Sequence, residues 1–161
     1  ETVQLAALEG PQIVICDMVE APEGHGESTT IGMRLDAHAT GAGKALLAWR
    51  APDELRQLYG RRSPHAHTAR TITTIDGLLR ELAAVRVQGY AVDEGEMNPG
   101  LTCVAAPIMN AAGQAVAALC VSGPAADFQP TRVVRLAGQV TATAVEVSDY
   151  IVDHDSRSET S

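Results

Sequence analysis

The stretch HATGAGKALLAW, residues 38–49, sets two glycines and a lysine at the start of an apolar helix. A phosphate loop of the Walker type has the form G-x-x-x-x-G-K-[ST], in which backbone amides hold the phosphates and the hydroxyl contacts magnesium. Here His38 occupies the position of the first glycine, and Ala45 replaces the hydroxyl residue. The stretch therefore argues against a nucleotide site of this type.

The start of this helix could still hold a smaller anion. The first amides of a helix have no intrahelical partners and lie at its positive end, so Gly41, Ala42 and Gly43 could bind a carboxylate. Glycine is also the usual residue at a tight turn, so a purely structural role for Gly41 and Gly43 stays open. Lys44 is interpreted as a cation on the helix surface or at an interface, rather than as a catalytic base.

Two cysteines lie in a predicted hairpin. If Ala111 and Ala112 form a two-residue turn, the residue numbers of cross-strand partners sum to 223, which places Cys103 directly opposite Cys120. The period of two then gathers small or weakly polar side chains on one face of the hairpin. That face carries Leu101, Cys103, Ala105, Ala118, Cys120 and Ser122.

Asp93 belongs to a short strand at residues 90–94 and would point at the same face if that strand pairs beside the hairpin. Zinc bound between Asp93, Cys103 and Cys120 would lack a fourth ligand, so no metal site is predicted. His65 and His67 are interpreted as loop residues rather than ligands. The two cysteines could equally be buried core thiols.

Facing thiols leave an enzymatic alternative open, in which one cysteine attacks a sulfoxide or peroxide and the other resolves the product. No histidine or arginine is expected near Cys103 or Cys120 to lower a thiol pKa. We therefore favour a binding domain over a thiol enzyme. A dimerisation module with no ligand is a further alternative, supported by a long amphipathic helix near the C-terminus.

The elements that must position these residues predict an α+β fold with an antiparallel sheet, because strands and helices come in groups rather than in strict alternation. Apolar or alternating runs indicate strands at residues 3–8, 12–19, 30–35, 90–94, 101–109 and 114–122. Apolar spacing and capping signals indicate helices at residues 42–49, 52–59, 73–88 and 133–151.

Composition limits the function classes. A length of 161 residues suits one domain, and twelve Lys and Arg against twenty Asp and Glu argue against nucleic-acid binding by this segment. No apolar run approaches the roughly 20 residues that cross a bilayer, so no membrane partner is expected. Three widely spaced cysteines without a CxxC motif suit the reducing cytoplasm. The chain opens directly into a strand near Val3, so we expect an N-terminal part to be missing.

Three segments, HATGAGKALLAW, GYAVDEGEMNPGLTCVAAPI and AVAALCVSGP, occur in this order, and together they resemble the effector-binding domain of the IclR family of bacterial transcription regulators. The resemblance implies a GAF-like domain over residues 1–153, followed by a disordered tail at 154–161. It also implies a winged helix-turn-helix domain upstream, assembly as a homodimer or homotetramer, a small organic acid effector, and neither enzymatic activity nor a cofactor. DNA would be bound only through the missing N-terminal domain.

The resemblance also implies which residues hold the effector. In acid-sensing members of the family, the ligand carboxylate lies on the amides that match Gly41 and Ala42. Side chains that match Asp93, Cys103 and Ser122 complete the pocket. Cys120 occupies the position of another pocket serine, and it is a weaker donor. Because an ionised Asp93 would repel an acid unless it accepts a ligand hydroxyl, we expect a hydroxy acid to bind more tightly than its deoxy analogue.

Overall fold

A computed structural model describes residues 1–20, 29–60 and 63–158. The chain forms one six-stranded sheet in the order β3-β2-β1-β6-β5-β4, and every neighbouring pair is antiparallel. The predicted α+β class with an antiparallel sheet is confirmed. The strands are β1 Thr2–Glu9, β2 Gln12–Glu20, β3 Arg34–Asp36, β4 Ala91–Glu94, β5 Leu101–Met109 and β6 Ala115–Pro124. The α-helices are α1 Gly41–Leu47, α2 Pro52–Tyr59, α3 Ile75–Gln88 and α4 Pro130–Ser158.

Helices cover both faces of the sheet. On one face, buried residues of α1, α2 and α3 pack against Ile13, Ile15, Ala105 and Cys120 in the larger core cluster. On the other face, α4 packs against the alternate side chains of β5, which belong to two smaller clusters. Because successive side chains of β5 point to opposite faces, one strand serves both layers. The face that carries Cys103 and Cys120 is therefore the face under α1.

The third strand is shorter than residues 30–35 predict. Gly32 has a φ of 85° and donates its amide to the carbonyl of Ile15 at 2.8 Å. Met33 donates to Thr30 at 3.0 Å, which closes a turn. Residues with a side chain rarely adopt such a positive φ, so glycine permits this turn. Regular pairing between β2 and β3 therefore begins only at Arg34.

The ends of α3 follow local chemistry. Thr74 caps the helix by accepting the amide of Gly77 at 3.2 Å, one residue later than the predicted cap at Thr73. Gly89 ends the helix in the left-handed conformation with a φ of 83°, as predicted. Because residues 73 and 74 are both threonine, the sequence pattern alone does not show which of them caps the helix.

The predicted register of the β5–β6 hairpin is wrong by two residues. The turn spans residues 110–114 rather than two alanines, because Asn110 Oδ1 accepts the amides of Ala112 and Gln114 at 3.1 and 3.0 Å. β5 also contains a bulge between Ile108 and Met109, just before this turn. The Cα partner of Cys103 is consequently Ser122, and Cys120 lies opposite Ala105. A shift by an even number keeps every side chain on its predicted face.

The final helix α4 contains the predicted segment 133–151 and continues through Ser158. It therefore includes the first residues of the segment expected to form a tail, while residues 159–161 lie outside the described part of the chain. Among the described residues, no helix combines the length and apolar character that spanning a bilayer requires.

Candidate functional site

A small cavity of about 70 Å³ lies between α1 and the sheet. Its wall contains five of the six predicted site residues, together with apolar neighbours such as Ile13 and Leu101. The five are Ala42, Asp93, Cys103, Cys120 and Ser122. The wall is thus mostly apolar with a few polar groups, which is the usual composition of a small-molecule site.

Gly41, the sixth predicted residue, lies outside this wall and packs against β5. A Cβ added at Gly41 would meet both the carbonyl oxygen and the Sγ of Cys103 at 3.1 Å. The missing side chain therefore allows the start of α1 to approach the strand closely. This close approach brings the neighbouring Ala42 to the cavity.

The first turn of α1 has two kinds of amide. Thr40 caps the helix, because its Oγ1 accepts the Gly43 amide at 3.1 Å and its carbonyl accepts the Lys44 amide at 2.9 Å. Helix geometry supplies no intrahelical acceptor to the two preceding amides, those of Gly41 and Ala42. These two amides are therefore the donors at the start of α1 that the helix itself does not use.

Asp93 forms the acidic part of the wall. It is a β4 residue paired with Cys103, and its side chain is buried. Its Oδ1 accepts the amide of Glu96 at 2.6 Å. Burial raises the pKa of Asp93 to about 6, although this hydrogen bond and the charge of Lys44 oppose the increase. The carboxyl group can therefore exchange a proton close to neutral pH.

The two thiols of the wall differ in their surroundings. Cys120 is buried and donates to the backbone carbonyl and the side-chain Oε1 of Gln4, at 3.6 and 3.5 Å. Cys103 is half-buried and lies diagonally from Cys120 in the ladder, rather than directly opposite. The prediction that Cys103 lies directly opposite Cys120 is therefore wrong.

Lys44 is not a surface cation, and that prediction is wrong. The side chain is 1% exposed, and its Nζ donates to Glu81 Oε1 at 3.0 Å, to the carbonyl of Val92 at 2.7 Å and to Glu96. Although burial lowers it, the pKa of Lys44 is raised above its ordinary value because both carboxylates stabilise the charged form. A lysine within a helix of small and apolar residues was the available signal of burial. The sequence gives no comparable signal of which acidic residues pair with it.

Residues 1–149 match the protein family described as "Bacterial transcriptional regulator IclR C-terminal". The HTH-type transcriptional regulator BhcR of Paracoccus denitrificans is 34% identical over 148 residues, which cover 92% of this chain and 53% of BhcR. The HTH-type transcriptional regulator KdgR of Escherichia coli is 34% identical over 155 residues, which cover 96% of this chain and 59% of KdgR. The chain thus spans little more than half the length of these relatives.

Solved structures show the same architecture. The C-terminal domain of Escherichia coli KdgR has a TM-score of 0.82 and 33% identity, and the match covers 93% of this chain and 87% of that domain. The inducer-binding domain of a PobR double mutant from Acinetobacter, solved in complex with 3-hydroxybenzoic acid, has a TM-score of 0.81 and 27% identity. That match covers 91% of this chain and 87% of the PobR domain.

Proposed function

The chain belongs to the IclR family of bacterial transcriptional regulators, and we propose that it senses a small organic acid and relays its presence to a DNA-binding domain. Family members are regulators rather than enzymes, and nothing among the relatives supports the thiol-enzyme alternative. The observation that carries the proposal is the cavity in which Ala42, Asp93, Cys103, Cys120 and Ser122 meet.

The start of α1 is our proposed position for the ligand carboxylate. The amides of Gly41 and Ala42 are available in helix geometry, because Thr40 accepts the next two amides. Ala42 lies in the cavity wall, so an acid in the cavity can reach this turn. The cavity supplies the enclosure that a short helix by itself would lack.

Asp93 is our proposed partner for a ligand hydroxyl. With a pKa of about 6, Asp93 is mostly ionised at neutral pH and can accept a hydrogen bond from a hydroxyl group. An acid without that hydroxyl would place its own charge beside the buried Asp93 carboxylate with no hydrogen bond between the two groups, which is costly. The complex of the PobR domain with a hydroxylated acid supports this choice of ligand class.

The DNA-binding function requires a second domain, since this chain carries a net charge of -8. BhcR and KdgR are named HTH-type regulators, and we propose that a domain of this type is linked to the chain, that the whole assembles as a homodimer or homotetramer, and that it acts in the cytoplasm. Effector binding would control DNA binding only if the acid prefers one arrangement of the assembly. An acid with equal affinity for both arrangements does not change the equilibrium between them.

Calorimetry with matched acid pairs tests the proposal. We expect lactate to bind at least about tenfold more tightly than propionate, or 3-hydroxybenzoate more tightly than benzoate, because the hydroxyl pairs with Asp93. In Asp93→Asn the preference should shrink, since a neutral amide is a weaker acceptor. The matched control is Asp149→Asn on the exposed side of α4, which should keep the full preference. Equal affinities within each pair, or no binding of any of these acids, would contradict the proposal.

A further inference from the structure

A second group of side chains lies beside the start of α1 and belongs neither to the cavity wall nor to the Lys44 network. Asp36 ends β3, His38 lies in the short 3-10 turn before α1, and His67 lies in the loop that leads to α3. The Oδ2 of Asp36 and the Nε2 of His67 are 3.0 Å apart. One potential ligand atom from each of the three residues lies within 4.8 Å of the other two.

The environment of His38 favours one protonation state. The ring is 2% exposed, and its Nε2 lies 2.8 Å from the carbonyl oxygen of His65. A carbonyl can only accept, so Nε2 carries the proton and Nδ1 has a bare lone pair. Burial lowers the pKa of His38, which keeps the ring neutral near pH 7.

The Nδ1 atom of His38 is buried and has no hydrogen-bond partner among the residues that the structure describes. A buried polar atom left without a partner destabilises the folded state, so a group that uses this lone pair is favoured at the site. A neutral imidazole nitrogen in this state is the form that binds a metal ion, because coordination uses the lone pair.

The surroundings also resemble the outer shell of a metal site. Ligating histidines normally donate their second ring N–H to a carbonyl or carboxylate, as His38 does to His65. Asp36 is held in the same way, because Gln12 Nε2 donates to its Oδ1 at 3.3 Å. Although partial burial raises it, the pKa of Asp36 is below its ordinary value because His67 and Gln12 donate to the carboxylate.

We propose that Asp36, His38 and His67 form a binding site for a divalent first-row transition-metal ion. Two imidazoles and one carboxylate, with water as a fourth ligand, form a set that suits Zn²⁺ in tetrahedral geometry. The spacing between Asp36 and His67 is close to the edge of such a tetrahedron, since ligand atoms lie about 2 Å from the metal. His67 does lie in a loop, as its sequence context predicts, but its neighbours Asp36 and His38 are about 30 residues away along the chain, so sequence spacing does not indicate a ligand role.

Metal binding here would join the loop before α3 to the end of β3 and to the turn before α1, which follows β3 directly in the chain. His38 lies two residues before Thr40, which caps α1 and contributes to the cavity wall. A bound ion would therefore hold the turn from which the proposed effector site begins. The metal site does not depend on an effector, so the two proposals can fail independently.

Zinc titration of the 161-residue chain, stripped of metal with a chelator, tests this inference. We expect one Zn²⁺ to bind per chain by calorimetry and to raise the melting temperature, because the ion binds the folded state. In His67→Ala the affinity should fall by at least about 100-fold, since a ligand is removed. His154→Ala, on α4, is the matched control and should bind Zn²⁺ like the unaltered chain.

Co²⁺ gives an independent measurement, because its visible absorption reports ligand geometry. The unaltered chain should show the bands of a four-coordinate site, and both Asp36→Asn and His67→Ala should lose them. Circular dichroism identifies any variant that fails to fold, in which case the other variant decides. If the folded chain takes up no Zn²⁺, or if His67→Ala binds it as tightly as His154→Ala does, the proposal is overturned.

Discussion

Asp93 and Glu96 are joined by a hydrogen bond of 2.6 Å, in which the amide of Glu96 donates to Oδ1 of Asp93. The carboxylate of Glu96 in turn pairs with the buried ammonium group of Lys44. The carbonyl of Glu96 accepts the hydroxyl of Thr71 at 2.6 Å. One residue outside the cavity wall thus holds the acidic residue of the wall, the lysine of α1 and the loop before α3 in a fixed relation.

Asp93 should make stability depend on pH. Its pKa is about 6 in the folded chain, against an ordinary value of 3.8. The folded state therefore keeps a proton that the unfolded state releases, so the contribution of this group is largest below about pH 4 and is lost as the pH rises through about 6. We compare the unfolding free energy of the unaltered chain with that of Asp93→Asn. The difference between them should fall by about 3 kcal/mol from below pH 4 to neutral pH.

Urea denaturation at a series of pH values measures this difference. Asp149→Asn, at an exposed position of α4, serves as the reference for loss of an exposed carboxylate. A difference between the unaltered chain and Asp93→Asn that stays constant with pH would show that burial does not perturb Asp93 in the folded state.

Lys44→Met should strongly destabilise the chain. The substitution fills a similar volume but leaves the carboxylate of Glu96 buried without its cation, a loss of about 3–5 kcal/mol. Adding Glu96→Gln removes the unpaired charge, so the double variant should be more stable than Lys44→Met alone. Chemical denaturation of the single and double variants measures the coupling. A double variant that loses as much as the sum of the two single variants would disprove the coupling.

Gly43→Ala should disrupt the start of α1. A Cβ added at Gly43 would overlap the backbone of Ala37, and backbone atoms cannot rotate away. We expect a loss of about 3 kcal/mol or more, with weakened binding of any acid that uses the first turn of α1. Thermal or urea unfolding provides the measurement.

Gly138→Ala in α4 is the matched control for this substitution. An added Cβ at Gly138 meets nothing within 4 Å, and the position is exposed. Alanine should therefore stabilise the helix by about 0.5–1 kcal/mol, because glycine loses more conformational entropy on folding. If Gly43→Ala and Gly138→Ala changed the unfolding free energy equally, the close approach of Ala37 would not exclude a side chain at position 43.

Local patterns in the sequence predict most of the elements and the faces of the hairpin, although the turn at Gly32 shortens the third strand. The period of two placed Cys103, Cys120 and Ser122 on one face, and an error of two residues in register left that assignment unchanged. Helix ends were predictable where a capping residue is a local matter, as at Gly89. The family motifs added the ligand class and the six site residues, which remain predictions to be tested by binding.

Three relationships were decided by the tertiary structure alone. The pairing of Cys103 with Ser122 depends on how Asn110 closes the turn and on the bulge before Met109. The burial of Lys44 depends on acceptors supplied by α3 and by the segment around β4. The meeting of His67 with Asp36 and His38 depends on the loop before α3, which contacts the end of β3 and the turn before α1. In each case the partners lie far apart along the chain, or a hydrogen-bonded loop sets their spacing, so local periodicity carries no information about their distance in space.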